Sequence, residues 1–148
     1  PVRRTMQIAQ ELYEGVDVGK DGTVGLITYM RTDSTNVATA AQEQAREVIA
    51  RVFGSEYVPE RPPVYTRKSK GAQEAHEAIR PTDPNRTPEM VKPFLSQPQF
   101  RLYDLIWKRF IASQMRNAIF DSTGVDIDAG PRGGEKPYRF RATGSVMK

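Results

Sequence analysis

The chain contains no cysteine and only one histidine and one tryptophan among its 148 residues. The lack of cysteine excludes disulfides, thiolate zinc sites and a cysteine nucleophile. No apolar run approaches the ~20 residues that a membrane span requires, and no secretory signal opens the sequence. The lack of cysteine is typical of proteins in a reducing compartment. We therefore expect a globular protein located in the cytoplasm.

The composition is that of a mildly basic globular domain. Lysine and arginine together number 22 against 18 acidic residues, which gives a net charge of +4. Such a balance fits a nucleic-acid partner, although many basic domains bind none. The length suits one domain, or one domain plus part of another. The chain starts at Pro1 without an initiator methionine and stops without an obvious terminus at Lys148, so we expect an internal piece of a longer protein.

Apolar periodicity predicts a mainly α fold with a small β component. Spacing of three and four residues predicts helices, and alternation predicts strands. Asp-Gly and Gly/Pro-rich connections predict two hairpins. The predicted helices cover residues 5–13, 37–53, 73–79 and 98–119, with a further helix start at 87–89; the predicted hairpins join 16–18 to 23–29 and 125–127 to 138–142.

The segment from Gly25 to Thr35 places a tyrosine and an arginine between an apolar stretch and a polar one. In a strand, Tyr29 and Arg31 would lie on one face. A phenol loses its proton only near pH ~10, and a neighbouring guanidinium stabilises the phenolate and can hold a phosphate. This pair is a candidate for transfer of a phosphodiester onto tyrosine. From spacing alone, a tyrosine that packs at the edge of the core beside a solvated arginine is the commoner arrangement.

Two further features add to this candidate site. Four successive N-capping residues, from Asp33 to Asn36, predict a helix whose positive end would favour phosphate. His76 can donate to a phosphate or move a proton near neutral pH, and on the helix predicted for residues 73–79 it would share a face with Arg80. The plainer alternative is a surface histidine on an alanine-rich helix.

Other polar clusters have more ordinary explanations. Glu74 and Glu77 could bind a metal ion, but glutamates on an exposed helix are usually solvated. Asp126 and Asp128 resemble a metal-binding pair, yet they face arginines across a predicted hairpin, and we expect them to be structural. The basic loop at 61–70 could follow a phosphate backbone or be solvated.

Four segments carry a resemblance that spans essentially the whole chain: Gly25 to Ser34, Ala75 to Pro81, Leu105 to Met115 and Arg4 to Glu14. The first resembles the active-site tyrosine segment of type IA DNA topoisomerases, and the others match the same family in the same order. Met30 favours the bacterial topoisomerase I branch over topoisomerase III and reverse gyrase. The first two segments are the most specific.

The resemblance implies a fold and an activity. Residues 1–119 would form a winged-helix-like (CAP-like) helical domain that carries the catalytic tyrosine, and residues 120–148 would begin the β-rich gate domain. The family relaxes negatively supercoiled DNA without ATP. It cleaves one strand transiently through a 5′-phosphotyrosine link and passes another strand through the break.

The resemblance also implies roles for individual residues. Tyr29 would be the nucleophile, and Arg31 would stabilise the phenolate and the transition state. The phosphate-binding residues would be His76, Asp33 and Arg80. His76 would contact the scissile phosphate and support proton transfer. Asp33 would orient Arg31, and Arg80 would brace the loop.

Cofactors and partners follow from the same resemblance. The full enzyme would act on single-stranded DNA in the nucleoid and use Mg²⁺ held by a Toprim domain, which these residues do not contain. We expect no metal site in the chain, no DNA cleavage by the chain alone, and contacts with the Toprim and gate domains. The open edges of the tail hairpin would also allow a homodimer.

Two other classes of function stay open at this level. One is a non-catalytic winged-helix DNA-binding module with a structural tyrosine. The other is a different phosphotyrosine-forming enzyme, such as a recombinase or a relaxase. The single histidine argues against that second class, because recombinases ordinarily show several arginines and histidines and relaxases a histidine-rich metal cluster.

Overall fold

A computed structural model describes residues 2–65 and 76–148, which divide into two compact units that meet in sequence at Arg116 and Asn117. In this described part, the first unit contains four α-helices and a short hairpin, and the second is an antiparallel ribbon. The elements are α1 (Val2–Glu14), β1 (Val16–Asp17), β2 (Thr23–Val24), α2 (Thr39–Val52), α3 (Pro88–Val91), α4 (Gln97–Gln114), β3 (Phe120–Ala129) and β4 (Tyr138–Met147), with 3-10 turns at Gly19–Asp21, Ser55–Tyr57 and Lys92–Phe94.

Helix α4 forms the centre of the first unit. Its buried face carries three aromatic residues, Tyr103, Trp107 and Phe110, and the polar atoms of the first two still find partners. The Tyr103 hydroxyl donates to the carbonyl oxygen of Arg86 at 2.6 Å, and the Trp107 indole N–H donates to the carbonyl oxygen of Pro84 at 2.9 Å. Large rings can be buried without penalty when their polar ends are bonded, so these two contacts attach the loop before α3 to the core.

Helices α1 and α2 bury narrow apolar stripes of the predicted kind. Helix α1 buries Ala9 and Leu12, and α2 buries Ala41, Ala45, Val48 and Ile49. Gly54 follows α2 with φ +119, a conformation that side chains other than glycine rarely adopt. The predicted helices at 5–13 and 37–53, and the helix start at 87–89, are therefore confirmed in outline.

Three predicted helical segments need correction. Helix α4 ends at Gln114 rather than at residue 119, because Met115 is extended and the N–H of Arg116 donates to the carbonyl oxygen of Tyr57. Helix α2 begins at Thr39, with Ala38 as its N-cap, rather than directly after Asp33 to Asn36. Residues 76–79 are not helical, while the remainder of the helix predicted at 73–79, and residues 66–70 of the predicted basic loop, lie outside the described residues.

The second unit is the predicted tail hairpin, now with a defined register. Asp126 pairs with Arg141 and Asp128 with Arg139, and their closest N–O distances are 3.5 Å and 2.6 Å. The two aspartates therefore form cross-strand ion pairs, as the sequence predicted. All four side chains are largely exposed, so the pairs fix register more than they add stability.

No helix in the described ranges is long and apolar enough to span a bilayer.

The buried Tyr103 supports a prediction about stability at high pH. Burial raises the pKa of its phenol, the Asp83 carboxylate raises it further, and Arg86 partly offsets both. Tyr103→Phe should lower the free energy of unfolding by about 1 kcal/mol at neutral pH, because the carbonyl of Arg86 loses its donor. Above pH ~10 Tyr103 ionises in the unfolded protein but stays protonated in the folded one, so the wild-type protein loses stability. The difference in free energy of unfolding between the wild type and Tyr103→Phe should therefore shrink.

Urea titrations of both proteins at neutral and strongly alkaline pH measure this difference. Tyr57→Phe is the control, since the Tyr57 ring is half-exposed. A gap between wild type and Tyr103→Phe that stays constant across the pH range would contradict the prediction.

Candidate functional site

The Tyr29 segment is a loop, not the strand that alternation predicted. Strand β2 ends at Val24, and beyond it only Ile27 forms a bridge, to Pro81. The N–H of Arg31 donates to the carbonyl oxygen of Tyr29 at 2.8 Å, which closes a tight turn around the buried Met30. Tyr29 and Arg31 are both exposed and line the same cleft, but a turn rather than strand geometry brings them there.

A second segment, fifty residues further along the chain, pairs with this loop. The N–H of Thr28 donates to the carbonyl oxygen of Arg80 at 2.9 Å, and the N–H of Thr82 donates to that of Leu26 at 3.1 Å. The Thr28 hydroxyl donates to the carbonyl oxygen of Ala78 at 2.8 Å and accepts the N–H of Arg80 at 2.9 Å. Thr28 therefore holds the His76 segment against the Tyr29 segment.

The end of helix α1 supports the tyrosine. The Tyr29 ring is 53% exposed and meets Tyr13 edge to face, with ring centroids 5.2 Å apart. The N–H of Leu26 donates to the carbonyl oxygen of Leu12 at 2.8 Å. A Cβ atom at Gly25 would lie 2.6 Å from the carbonyl oxygen of Tyr13, so this close approach requires glycine. The Tyr29 loop is thus attached to α1 by backbone and ring contacts.

Arg31 is held from two sides. Its Nη1 lies 2.6 Å from Nε2 of His76, and its Nε lies 3.2 Å from Oδ2 of Asp33. Because a guanidinium has only donors, this contact is a hydrogen bond in the tautomer whose Nε2 accepts and whose proton is on Nδ1. The structure therefore brings together Arg31, His76 and Asp33 from the predicted site.

Arg80 does not join this group. Its Nη2 contacts Oε2 of Glu77 at 2.6 Å, its Nη1 donates to the carbonyl oxygen of Pro81 at 2.9 Å, and its side chain is only 12% exposed. His76 and Arg80 do not share a helical face, because residues 76–79 are not helical. Arg80 is turned inward and does not line the cleft. This geometry is that of a brace for the loop.

Glu77, from a distant part of the chain, lies beside the N-cap residue of α2. Its Oε1 accepts the N–H of Ala38 at 2.9 Å, so a carboxylate from 39 residues away lies at the start of α2. Negative charge is favourable at that end of a helix. The start of α2 therefore has a carboxylate beside its N-cap residue, whose own side chain makes no capping hydrogen bond. No local pattern signals this role of Glu77, nor the supporting roles of Thr28 and Tyr13.

These contacts form one open cleft of about 540 Å³, which we call the tyrosine cleft. It presents two phenols, a guanidinium and an imidazole, and the carboxylate among its described lining residues, Glu77, is paired with Arg80. Such a surface suits an anion beside the phenol. In the described ranges, no group of three or more histidine, aspartate or glutamate side chains could hold a metal ion. The residues that line the cleft are Tyr13, Gly25, Ile27, Thr28, Tyr29, Arg31, His76, Glu77 and Thr82.

The chain was compared with known families and structures. A family model described as DNA topoisomerase matches residues 1–148. DNA topoisomerase 1 from two strains of Xylella fastidiosa, Temecula1 and 9a5c, is 54% identical over 145 residues, which is 98% of this chain and 17% of each relative. The structure of full-length topoisomerase I from Thermotoga maritima matches with a TM-score of 0.77 and 45% identity, over 99% of this chain and 22% of that one. The chain thus spans about a sixth of the length of these curated relatives.

The double role of the Thr28 hydroxyl gives a test of how the two segments are held. Thr28→Val keeps the shape of the side chain but leaves the Arg80 N–H and the Ala78 carbonyl without this partner. We expect the free energy of unfolding to fall by about 1–3 kcal/mol. Because His76 is the only histidine, its imidazole resonance in the NMR spectrum should shift as well.

Thr23→Val is the matched control, since Thr23 lies exposed on β2 in the same unit. Urea unfolding and the imidazole resonance are measured for both variants. Unchanged stability together with an unshifted imidazole signal in Thr28→Val would show that the hydroxyl does not hold the His76 segment.

Proposed function

Because the chain belongs to the DNA topoisomerase family, we propose that it carries the nucleophile, Tyr29, of a type IA enzyme that relaxes negatively supercoiled DNA. The observation that supports this proposal is the geometry of the tyrosine cleft. Tyr29, Arg31 and His76 line it together, and the last two are joined by a 2.6 Å contact. In this proposal, the substrate is a phosphodiester of single-stranded DNA.

The reaction proposed for Tyr29 is an exchange of one ester for another. The phenol oxygen attacks phosphorus, the bond from phosphorus to the 3′ oxygen breaks, and the 5′ phosphate becomes attached to tyrosine. The phenol proton passes to water, to which the half-exposed ring gives access, and the leaving oxygen gains a proton to become a 3′ hydroxyl. Resealing is the reverse reaction, so no ATP is consumed.

Arg31 supplies the electrostatic part of the mechanism. Its guanidinium would face the extra negative charge on the phosphate oxygens and on the developing phenolate, an effect worth ~10²–10³-fold in rate at comparable sites. His76 and Asp33 fix two sides of the guanidinium before DNA arrives. A preorganised donor costs little reorganisation during the reaction. The Nδ1–H of His76 is then available to donate to a phosphate oxygen.

The described residues do not provide a site for the Mg²⁺ that the family resemblance implies. We infer that Mg²⁺ binds to a Toprim domain elsewhere in a longer protein, and no step above depends on it. We also infer a winged-helix-like arrangement for the helical unit. We place the ribbon in the gate domain of the full enzyme. The full enzyme would act in the nucleoid.

The role of Tyr29 is tested in the full-length enzyme. Tyr29→Phe removes only the phenol oxygen and should abolish the covalent DNA adduct, because no other atom of residue 29 can attack phosphorus. Adducts are trapped by denaturing the enzyme during reaction with a labelled single strand and are counted by electrophoresis.

Tyr57→Phe is the matched control, because this half-exposed tyrosine lies outside the tyrosine cleft. An adduct that persists in Tyr29→Phe would show that another group is the nucleophile. A wild-type enzyme that binds DNA but forms no adduct would favour a non-catalytic DNA-binding module.

The 148-residue chain by itself should not relax supercoiled plasmid when Mg²⁺ is added, because its described residues form no metal cluster. Gel electrophoresis of plasmid topoisomers checks this expectation, with the full-length enzyme as the positive control. Relaxation by the chain alone that requires both Mg²⁺ and Tyr29 would contradict it.

A further inference from the structure

A second cleft lies beside the tyrosine cleft and shares one residue with it, Arg31. It has a volume of about 400 Å³ and lies between the loop that follows Arg31 and helix α4. The mechanism above makes no use of it. We call it the Tyr65 cleft, after the tyrosine among the residues that line it.

Tyr65 is fixed at both ends while its ring stays accessible. Its hydroxyl donates to the carbonyl oxygen of Ser113 at 2.6 Å, and its own carbonyl oxygen accepts the hydroxyl of Thr35 at 2.9 Å. The side chain is nevertheless about half exposed. An aromatic ring that is held in place with an open face can stack against a nucleic-acid base, and this stacking does not depend on which base it is.

The charge of the Tyr65 cleft also favours a nucleotide. Among the described residues that line it, the charged ones are Arg109 and Arg31, the latter paired with Asp33, and none is a carboxylate. Arg109 is exposed on helix α4. Hydroxyls of Thr32 and Ser34 lie along the same wall, and they can donate to phosphate or sugar oxygens.

The size of the cleft and its apolar walls agree with this chemistry. Ile79 and Phe110 form part of the lining, and the volume falls within the ~300–1,000 Å³ that small-molecule sites occupy. A base needs an apolar wall and a stacking partner, whereas a phosphate needs a cation. The Tyr65 cleft provides the apolar wall, the stacking partner and the cation together.

We propose that the Tyr65 cleft binds one nucleotide of single-stranded DNA, next to the phosphate that Tyr29 attacks. The base stacks on Tyr65, Arg109 neutralises the phosphate of that nucleotide, and Arg31 lies between the two clefts. This assignment rests on the proposed function, because it takes the DNA strand that reacts at Tyr29 as its ligand. It adds a subsite that holds the strand by its base and backbone without reading sequence.

The test measures the affinity of the full-length enzyme for a short fluorescein-labelled oligodeoxythymidine by fluorescence anisotropy. A Tyr29→Phe background prevents covalent capture. Tyr65→Leu should weaken binding about five- to hundredfold, because stacking on one aromatic ring contributes about 1–3 kcal/mol. Tyr65→Phe keeps the ring and should bind about as tightly as the parent.

The dependence of the affinity on salt concentration distinguishes the contribution of Arg109 from that of Tyr65. Arg109→Gln should reduce the slope of log K against log salt by about 0.7, the value for one contact with a single-strand phosphate, whereas Tyr65→Leu should leave that slope unchanged. Arg101→Gln is the matched control, because Arg101 is also exposed on α4 but does not line the Tyr65 cleft.

Equal affinity in Tyr65→Leu and its parent would overturn the subsite, as would an effect of Arg101→Gln as large as that of Arg109→Gln. If another part of the enzyme fills the cleft, Tyr65→Leu should likewise bind as tightly as its parent, and the subsite is overturned. The proposed function fails separately, through an adduct that does not require Tyr29. A loss of affinity in Tyr65→Leu would support the subsite even in that case.

Discussion

The arrangement of the tyrosine cleft depends on one backbone pairing between segments that lie fifty residues apart. Leu26 and Thr28 exchange hydrogen bonds with Arg80 and Thr82, and the Thr28 hydroxyl adds two more, to Ala78 and Arg80. Buried backbone groups that lose such partners cost ~1–3 kcal/mol each, so the two segments favour this register strongly. The position of His76 relative to Tyr29 follows from it, since His76 lies two residues before Ala78.

In the proposed mechanism, Arg31 supplies the positive charge that faces the reacting phosphate. A guanidinium presents several donors in one plane, and His76 and Asp33 contact two edges of the Arg31 group. A lysine at this position would keep the charge but not the planar fork. The same side chain lines both clefts. One fixed cation can therefore serve the reacting phosphate and orient the strand that continues beside it.

The sequence predicted the structural features that are set by residues close together in the chain. It missed the features that are set by residues far apart in the chain. Apolar spacing located α1 and α2, and two segments in which apolar residues alternate with aspartates or with arginines predicted the β3–β4 pairing. The start of α2 escaped prediction, because the carboxylate beside it, Glu77, comes from 39 residues away. For the site, motif resemblance selected Tyr29, Arg31 and His76. It did not indicate that a turn around Met30 orients the first two, because only the folded backbone shows that hydrogen bond.

The attachment of the Tyr29 loop to helix α1 has a consequence for the proposed reaction, in which cleavage and resealing are the reverse of one another. The Tyr13 ring, the Leu12 carbonyl and the close approach at Gly25 join the loop to α1, and Thr28 joins it to the His76 segment. The phenol, guanidinium and imidazole are therefore carried by segments that are joined to one another by hydrogen bonds and ring contacts. By microscopic reversibility, cleavage and resealing pass through the same transition state. A site that keeps its internal distances while a strand is broken is already complementary to the step that repairs the break.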